Sequence, residues 1–359
     1  MPAAARRPHP LRTDVTITVL KPGALTQIQD LGRYGYQRFG VVVGGVMDEW
    51  SHRLANALVG NGEDEATLEI TLTGPSLRFD QAATIAVCGA DLSPRVDGAG
   101  LTHGLPHGRP VRVEAGSQLR FGVRVSGARA YLAVAGGFDV PSVMGSRSTY
   151  ARGGFGGLDG RALRKDDVLT VRPTAQGDTL SHAPAPAEGP APSGPAASQR
   201  ALSIPPSPII VPPVRIDPVQ PIRIIAGRHW EVFTPQARRL LLESEFTIGA
   251  ASDRMGYRLQ GPALARARQV ELISEAVTAG TIQVPPDGLP IVLMAGRQTT
   301  GGYPKIADVA SADLRVMAQM TAPQALRFVL ISLADAQRIY LAREREYSHV
   351  RQVLGGQSK

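Results

Sequence analysis

GGVMDEWSHRL (residues 44–54) and GAASDRMGYRL (residues 249–259) align without a gap. Gly44 meets Gly249, Asp48 meets Asp253, and Arg53-Leu54 meets Arg258-Leu259. The same offset carries ITVL from Ile17 onto IRII from Ile222, and Arg33 onto Arg238. After one added residue, Glu69 meets Glu275, Gly74 meets Gly280 and Ile85 meets Ile291; after another, QLRF (118–121) meets ALRF (325–328). A period this long signals a duplicated domain, not a solenoid of short units.

Both copies read as β. VTITVL, ATIAVCGA, VRVEAGSQLRFGVRV and ARAYLAVAGG in the first half are short, rich in β-branched residues, and bounded by Gly, Pro or Asp. PIRIIAG, GTIQVP, LPIVLMAG and ALRFVLISL do the same in the second. Two helices are expected. MDEWSHRLANALVG starts near Asp48 and stops at Gly60-Asn61-Gly62. SLADAQRIYLAREREYSHVRQVL opens with a Ser332/Asp335 capping box. The fold class is therefore mainly β, with two tandem barrels or sandwiches from an internal duplication and few helices. Abundant turn formers, 39 Gly and 29 Pro among 359 residues, agree.

Composition divides the chain further. The Pro/Ala/Ser-rich stretch 174–220 reads as a semi-rigid linker. It separates a first β domain at 15–173 from a second at 221–340. Residues 1–14 read as a disordered tail, and 341–359 as the end of the C-terminal helix plus a tail. Basic residues at the N-terminus have no apolar run behind them, so no secretory signal is expected. Nor does any run approach the roughly 18 residues of a membrane span. A net charge of +8 is scattered rather than striped, and aromatics make up only 5% of residues, which argues against nucleic acid. The single cysteine, Cys88, sits in an apolar run and reads as core filler. The lack of any possible internal disulfide fits a reducing cytoplasm.

RQTTGGYPKIADV (297–309) has the look of a phosphate loop but not its chemistry. Tyr303 and Pro304 separate Gly302 from Lys305, Pro304 removes a backbone donor, and no Ser or Thr follows the lysine. GGFGGLDGR (153–161) does not follow the strand-to-helix rule either, and reads as a mobile loop.

Several long motifs resemble the biotin-dependent carboxyltransferase A/B family. They are the run from KPGALTQIQDLGRYGYQRFG to ITLTGPSLRF (21–79), SDRMGYRLQGPAL (252–264), LISEAVTAGTIQVPPDGLPIVL (272–293) and RQTTGGYPKIADV. The resemblance covers roughly 15–172 and 221–340. It implies two cyclophilin-like β-barrels. It also implies one component of a multi-protein hydrolase of C–N bonds, either the C-type subunit of an ATP-dependent 5-oxoprolinase or allophanate hydrolase subunit 2. The implied partner is a carboxyltransferase C/D protein of the subunit 1 or B-subunit type, with a third protein for 5-oxoprolinase activity. One alternative is the carboxyltransferase component of a biotin-dependent urea carboxylase. Another is a non-catalytic regulatory protein that sequesters a kinase inhibitor. No lysine lies in an A-M-K-M-like setting, so no covalent cofactor is expected; ATP or carrier-borne biotin would come through partner proteins.

The family's substrates share a resonance-stabilised N–C=O group. Attack on it builds charge on oxygen, which calls for preorganised donors and a proton-transfer group. Gln298, Thr299, Thr300, Tyr303 and Lys305 supply amide, hydroxyl and ammonium donors, and the adjoining glycines permit close approach. Lys305, Tyr303 and Glu275 are the catalytic candidates, with Glu275 suited to proton transfer if burial raises its pKa. Arg254 is the candidate clamp for a substrate carboxylate, with Tyr257 beside it. Neither recurs in the other copy, whereas Asp253 and Arg258 match Asp48 and Arg53 and read as structural, in the manner of an internal ion pair. Gln29, Asp30 and Arg33 are candidates for a groove or partner surface. His103 and His107 read as surface-loop residues, and no metal is expected.

Overall fold

The computed structural model describes residues 15–173, 202–205, 207, 209–268 and 272–355. The expected tail at 1–14 and the linker as far as 201 lie outside the described residues. The first half contributes β1 (Val15–Lys21), β2 (Leu25–Gln29), β3 (Thr67–Thr71), β4 (Ser76–Phe79), β5 (Ala83–Asp91) and β6 (Arg95–Gly98). It continues with β7 (Leu101–Gly104), β8 (Val111–Val113), β9 (Gln118–Arg120), β10 (Ser126–Val134), β11 (Val168–Val171) and β12 (Leu202–Ser203). They form two six-stranded sheets, ordered β11-β1-β4-β9-β6-β7 and β12-β8-β5-β10-β3-β2. Between the sheets lies one apolar core, including Ile17, Val19, Leu77, Phe79, Ile85, Val87 and Leu132.

The runs TIAVCGA and AYLAVA are apolar on both faces because β5 and β10 are covered on both. Their second face meets helix α1 (Glu49–Leu58). Ala86, Cys88, Tyr131 and Ala133 pack there on Trp50, Leu54 and Leu58. Burying Leu54 or Leu58 contributes roughly 1.5–3 kcal/mol each. Asp48 caps the helix by accepting from Ser51 N at 3.0 Å. Cys88 is thus filler as expected, and burial pushes its thiol pKa up.

The second half contains β13 (Val219–Ala226), α2 (Pro235–Glu243), β14 (Glu245–Ile248), β15 (Gly256–Gln260), β16 (Glu275–Ala276) and β17 (Thr281–Gln283). After these come β18 (Ile291–Leu293), β19 (Thr300–Gly301), β20 (Lys305–Val309), α3 (Leu314–Gln319), β21 (Ala325–Leu330) and α4 (Leu333–Gly355). Seven of the strands close a barrel in the order β13-β20-β17-β18-β15-β14-β21. The chain is mainly β with few helices, as its sequence implies. The Pro-rich stretch is laid along the first domain where it is described. There β12 pairs with β8, and Val214 N donates to Gly89 O at 3.0 Å.

Helix α4 begins at the expected capping box, where Ser332 Oγ accepts from Asp335 N at 3.0 Å. It then returns to the first domain. Tyr347 meets Trp50, with ring centroids 6.0 Å apart. Arg53 forks onto Glu344 at 2.9 and 3.0 Å and lies 3.9 Å from the Tyr347 ring centroid.

The repeat holds for strands and fails at the aligned segment 44–54. ITVL and IRII open the two domains as β1 and β13, and QLRF and ALRF fall in β9 and β21. Asp48, however, caps a helix, while Asp253 turns the chain into β15. Arg53 is buried among Glu49, Glu63 and Glu344, while Arg258 is exposed. No internal Asp–Arg pair is shared by the copies, because one segment is wound as a helix and the other extended. GGFGGLDGR is also packed rather than free: Gly157 N donates to Arg147 O, and a Cβ on Gly156 would sit 2.1 Å from Ser148 O. No helix among the described residues is long and apolar enough to cross a membrane.

Candidate functional site

The two domains meet around a cleft of about 510 Å³. Gln27 of β2 and Arg129 of β10 line it from the first domain, and Arg254, Met255 and Tyr257 from the second. Loop residues Tyr150 and Arg152, and Met320 after α3, complete the walls. Arg254 and Tyr257, two of the candidates from sequence, are therefore brought together.

A buried polar network stands behind this wall. Glu69 of β3 is 2% exposed and accepts from Met47 N at 2.8 Å, Tyr131 Oη at 2.9 Å and Arg254 Nη1 at 2.7 Å. Arg254 also donates to Gly45 O, and to Gln27 Oε1 at 3.3 Å. Burial, reinforced by the Glu69 carboxylate, holds the Tyr131 phenol pKa well up, so the hydroxyl keeps its proton and donates it. Tyr131 Oη in turn accepts from Asp48 N at 2.8 Å. Gln319 of α3 bridges the domains. Its Nε2 donates to Asp48 Oδ2 at 2.8 Å and Arg129 O at 2.9 Å, and its Oε1 accepts from Ala128 N and Arg129 N, both at 3.0 Å. Arg129 Nη1 donates to Tyr257 Oη at 2.9 Å and to Ala318 O, while Tyr257 Oη donates to Met320 O at 3.1 Å. Met47 adds an apolar plug, its side chain joining the core of the barrel domain. Removing either member of the Arg254–Glu69 pair leaves the other buried and uncompensated, which helps fix the two domains in one relative placement.

The reading of Arg254 as a free carboxylate clamp is corrected here. Its charge is already taken by Glu69, across the domain junction. It lines the cleft as a neutralised pair.

RQTTGGYPKIADV forms a separate cluster. Gly296 reaches the cleft wall, but Gln298, Thr299, Thr300, Tyr303 and Lys305 lie outside the lining residues. β19 pairs with β16, placing Thr300 opposite Ala276 and Gly301 opposite Glu275. Lys305 is 5% exposed; its Nζ donates to Gly301 O at 2.9 Å and lies 3.4 Å from Glu275 Oε2. Glu275 Oε2 is also 3.0 Å from Arg228 Nη1. The Arg228 hydrogen bond, opposed by desolvation and helped by Lys305, holds the Glu275 carboxyl below the usual range. A raised pKa for proton transfer is therefore not what this carboxylate has, because two cations outweigh its modest burial. The three catalytic candidates are neighbours, but the Tyr303 side chain is 46% exposed and joins the lysine only through its backbone carbonyl, at 3.3 Å.

Together these observations join a mainly β chain of two domains to a polar cleft at their junction. The match to the carboxyltransferase domain, subdomain A and B, spans residues 39–330. The chain belongs to this carboxyltransferase A/B family. It is similar to the C-type subunit of 5-oxoprolinase from Haemophilus influenzae, 33% identical over 344 residues that cover 94% of this chain and 98% of that protein. The corresponding 5-oxoprolinase protein of Escherichia coli, also the C-type subunit, is 34% identical over 336 residues, covering 93% and 97%. The crystal structure of Kluyveromyces lactis urea carboxylase superposes with a TM-score of 0.80 at 30% identity, over 95% of this chain and 30% of that one.

In this carboxyltransferase A/B chain, Gln29, Asp30 and Arg33 point inward rather than onto a groove. Asp30 accepts from Ser146 Oγ at 2.6 Å, Ser148 Oγ at 2.5 Å and Arg147 N at 2.5 Å. Arg33 donates to Val143 O at 2.8 Å and Ser148 O at 3.0 Å, and its guanidinium lies 4.9 Å from the Phe155 ring centroid. Gln29 Nε2 donates to Thr149 O at 3.2 Å. These three staple the segment 143–149, which leads into the glycine-rich loop, to the end of β2, and so position Tyr150 and Arg152 on the cleft. His107 is likewise packed, with Nδ1 3.0 Å from Val211 O.

Sequence reasoning missed Arg129, Gln27, Arg152 and Gln319. One signal was present: Arg129 is a lone charge inside the apolar strand ARAYLAVAGG, and a buried charge needs a reason. Gln319, set between Met317-Ala318 and Met320, carried a weaker form of the same signal, while Gln27 and Arg152 lie in ordinary polar surroundings and gave none.

Proposed function

We propose that this chain is the C-type component of an ATP-dependent 5-oxoprolinase, and that it acts on C–N bonds only within a complex. The observation that carries this reading is end-to-end similarity to the two bacterial 5-oxoprolinase components, 97–98% of whose length is covered, set against 30% of the urea carboxylase. A 5-oxoproline-like substrate fits the chemistry of the cleft. Its wall combines hydroxyl and guanidinium donors, Tyr257 and Arg129, with apolar Met255 and Met320. Such donors stabilise negative charge developing on an amide oxygen.

In this reading the partner is a C/D-type carboxyltransferase protein, which closes the cleft, and ATP is used by a further protein of the complex. We assign Lys305, Glu275 and Tyr303, with Gln298, Thr299 and Thr300, to the surface that the partner completes. Glu275, whose side chain is half-buried, is available to a group presented from outside, with Lys305 buried behind it. The chain is expected to work in the cytoplasm. The test is co-purification from the native host, followed by assay of the complex and of the isolated chain on 5-oxoproline with ATP. Turnover by the complex and none by the chain alone is expected. Turnover by the chain alone, or none by a complete complex, rejects the reading.

The fold similarity to urea carboxylase supports a second reading, a biotin-dependent carboxyltransferase component. Avidin-sensitive carboxylation of urea by the same complex would select it.

A further inference from the structure

The charges of the cleft are unequally paired. Arg254 has Glu69. Arg129 is 5% exposed and has no carboxylate within ion-pairing distance among the described residues. Its Nη1 reaches two neutral oxygens, Tyr257 Oη and Ala318 O, and its buried Nε has no hydrogen-bond partner. A guanidinium carries five donors and keeps its charge at any working pH. The Glu69 carboxylate acts on it only at longer range and is itself paired with Arg254, so an anion that reaches the guanidinium directly gains a charge-assisted bond away from water. The backbone around it is pinned by Gln319, so the group is held in place before any ligand arrives. The other unpaired cation of the cleft, Arg152, is exposed. It suits attraction of an anion more than fixing one, because water screens it.

We propose that Arg129 is the anchor for the substrate's carboxylate. The cleft then selects small acids that bear an amide or ureido group over their uncharged analogues. The anion docks on the Arg129 fork, and its carboxylate position sets which carbonyl faces Tyr257. This deepens the 5-oxoprolinase reading, but the selection for acids stands on the unpaired guanidinium itself.

The experiment is calorimetric titration of the purified complex with four probes. 5-Oxoproline and allophanate carry a carboxylate; 2-pyrrolidinone and urea do not. At least one acid is expected to bind roughly ten- to a hundredfold more tightly than its neutral analogue, the range for a charged hydrogen bond. Arg129→Lys keeps the charge but loses the fork, and should erase most of that preference for the acid over its neutral analogue. Hydrogen-exchange protection of residues 126–134 by the acid in the wild-type complex gives a readout that needs no variant. Equal affinity for acids and neutral analogues, no protection of that strand, or full acid affinity in a folded Arg129→Lys complex would each overturn the proposal. Arg129-dependent binding of allophanate alone would keep the anchor and reject 5-oxoproline. Turnover of 5-oxoproline with an unchanged KM in Arg129→Lys would keep the function and reject the anchor.

Discussion

Arg254→Ala should act on the junction between the domains before it acts on chemistry. The side chain is 16% exposed and meets Glu69, whose side chain is 2% exposed, at 2.7 Å. Removing one partner of a buried pair costs about 3–5 kcal/mol, because the other charge stays buried and uncompensated. Glu69 keeps two donors, Met47 N and Tyr131 Oη, which places the loss at the low end, about 3 kcal/mol. For domains of this size that corresponds to a melting temperature lower by roughly 6–12 °C. Urea unfolding followed by tryptophan fluorescence suits the measurement, since Trp50 lies on α1 and Trp230 beside the barrel. Arg254→Ala combined with Glu69→Gln removes both charges and leaves an amide oxygen for Met47 N and Tyr131 Oη. The double variant should therefore lose about 2 kcal/mol less than the two single losses added. A single loss under about 0.5 kcal/mol, or strict additivity in the double variant, would refute the claim that this pair joins the domains.

Three further outcomes are expected. Burial lowers His52 from 6.5 to about 4, opposed by Asp30 and by a hydrogen bond to Glu63 O. The unfolded chain takes up this proton first, so the stability present above pH 6.5 is lost as pH falls towards 4, by about 2 kcal/mol at pH 5. His52→Gln should flatten the urea midpoint between pH 7.5 and 5 relative to wild type, and an unchanged slope would contradict this. Gly45→Ala should destabilise by about 1–3 kcal/mol. Gly45 has a φ of 82°, and a Cβ would lie 2.9 Å from the Leu31 carbonyl. Thermal melts at the same tryptophans check it, and a wild-type midpoint would sink the argument. Lys305→Met should cost the folded chain about 1–2 kcal/mol through lost bonds to Gly301 O and Tyr303 O. It should lower turnover by the complex at least about a hundredfold. Retained turnover would remove Lys305 from the chemistry.

The legible parts of the fold were those set by local pattern. Asp48 and Gly60 bracket α1 as caps should, and Ser332 opens α4. Helix α2 was not legible, although Thr234-Pro235 is a sound N-terminus, with Thr234 Oγ1 accepting from Ala237 N at 3.0 Å. Only Ala237 and Leu241 are fully buried, and the consecutive leucines 240–242 mask the helical period around them. The site was less legible. Tyr257 does line the cleft, as its unshared position between the copies suggests, and so does Arg254, but with its charge taken rather than free. RQTTGGYPKIADV has the polar, glycine-rich composition of a cleft wall. It nevertheless turns away after Gly296, because β19 pairs with β16.

What the sequence determined by itself was the main strands, the first and last helices, the two β halves and the family. Each is written in residues close together in the chain: alternation, caps, turn formers and contiguous motifs. The tertiary structure alone decided which charges are paired. Glu69 and Arg254 lie 185 positions apart, and Asp48 and Gln319 lie 271 apart. Neither the composition nor the spacing of an arginine shows whether a carboxylate from the other domain will reach it. Only the docking of the domains leaves Arg254 neutralised, Arg129 with no carboxylate bonded to it among the described residues, and a cleft between them.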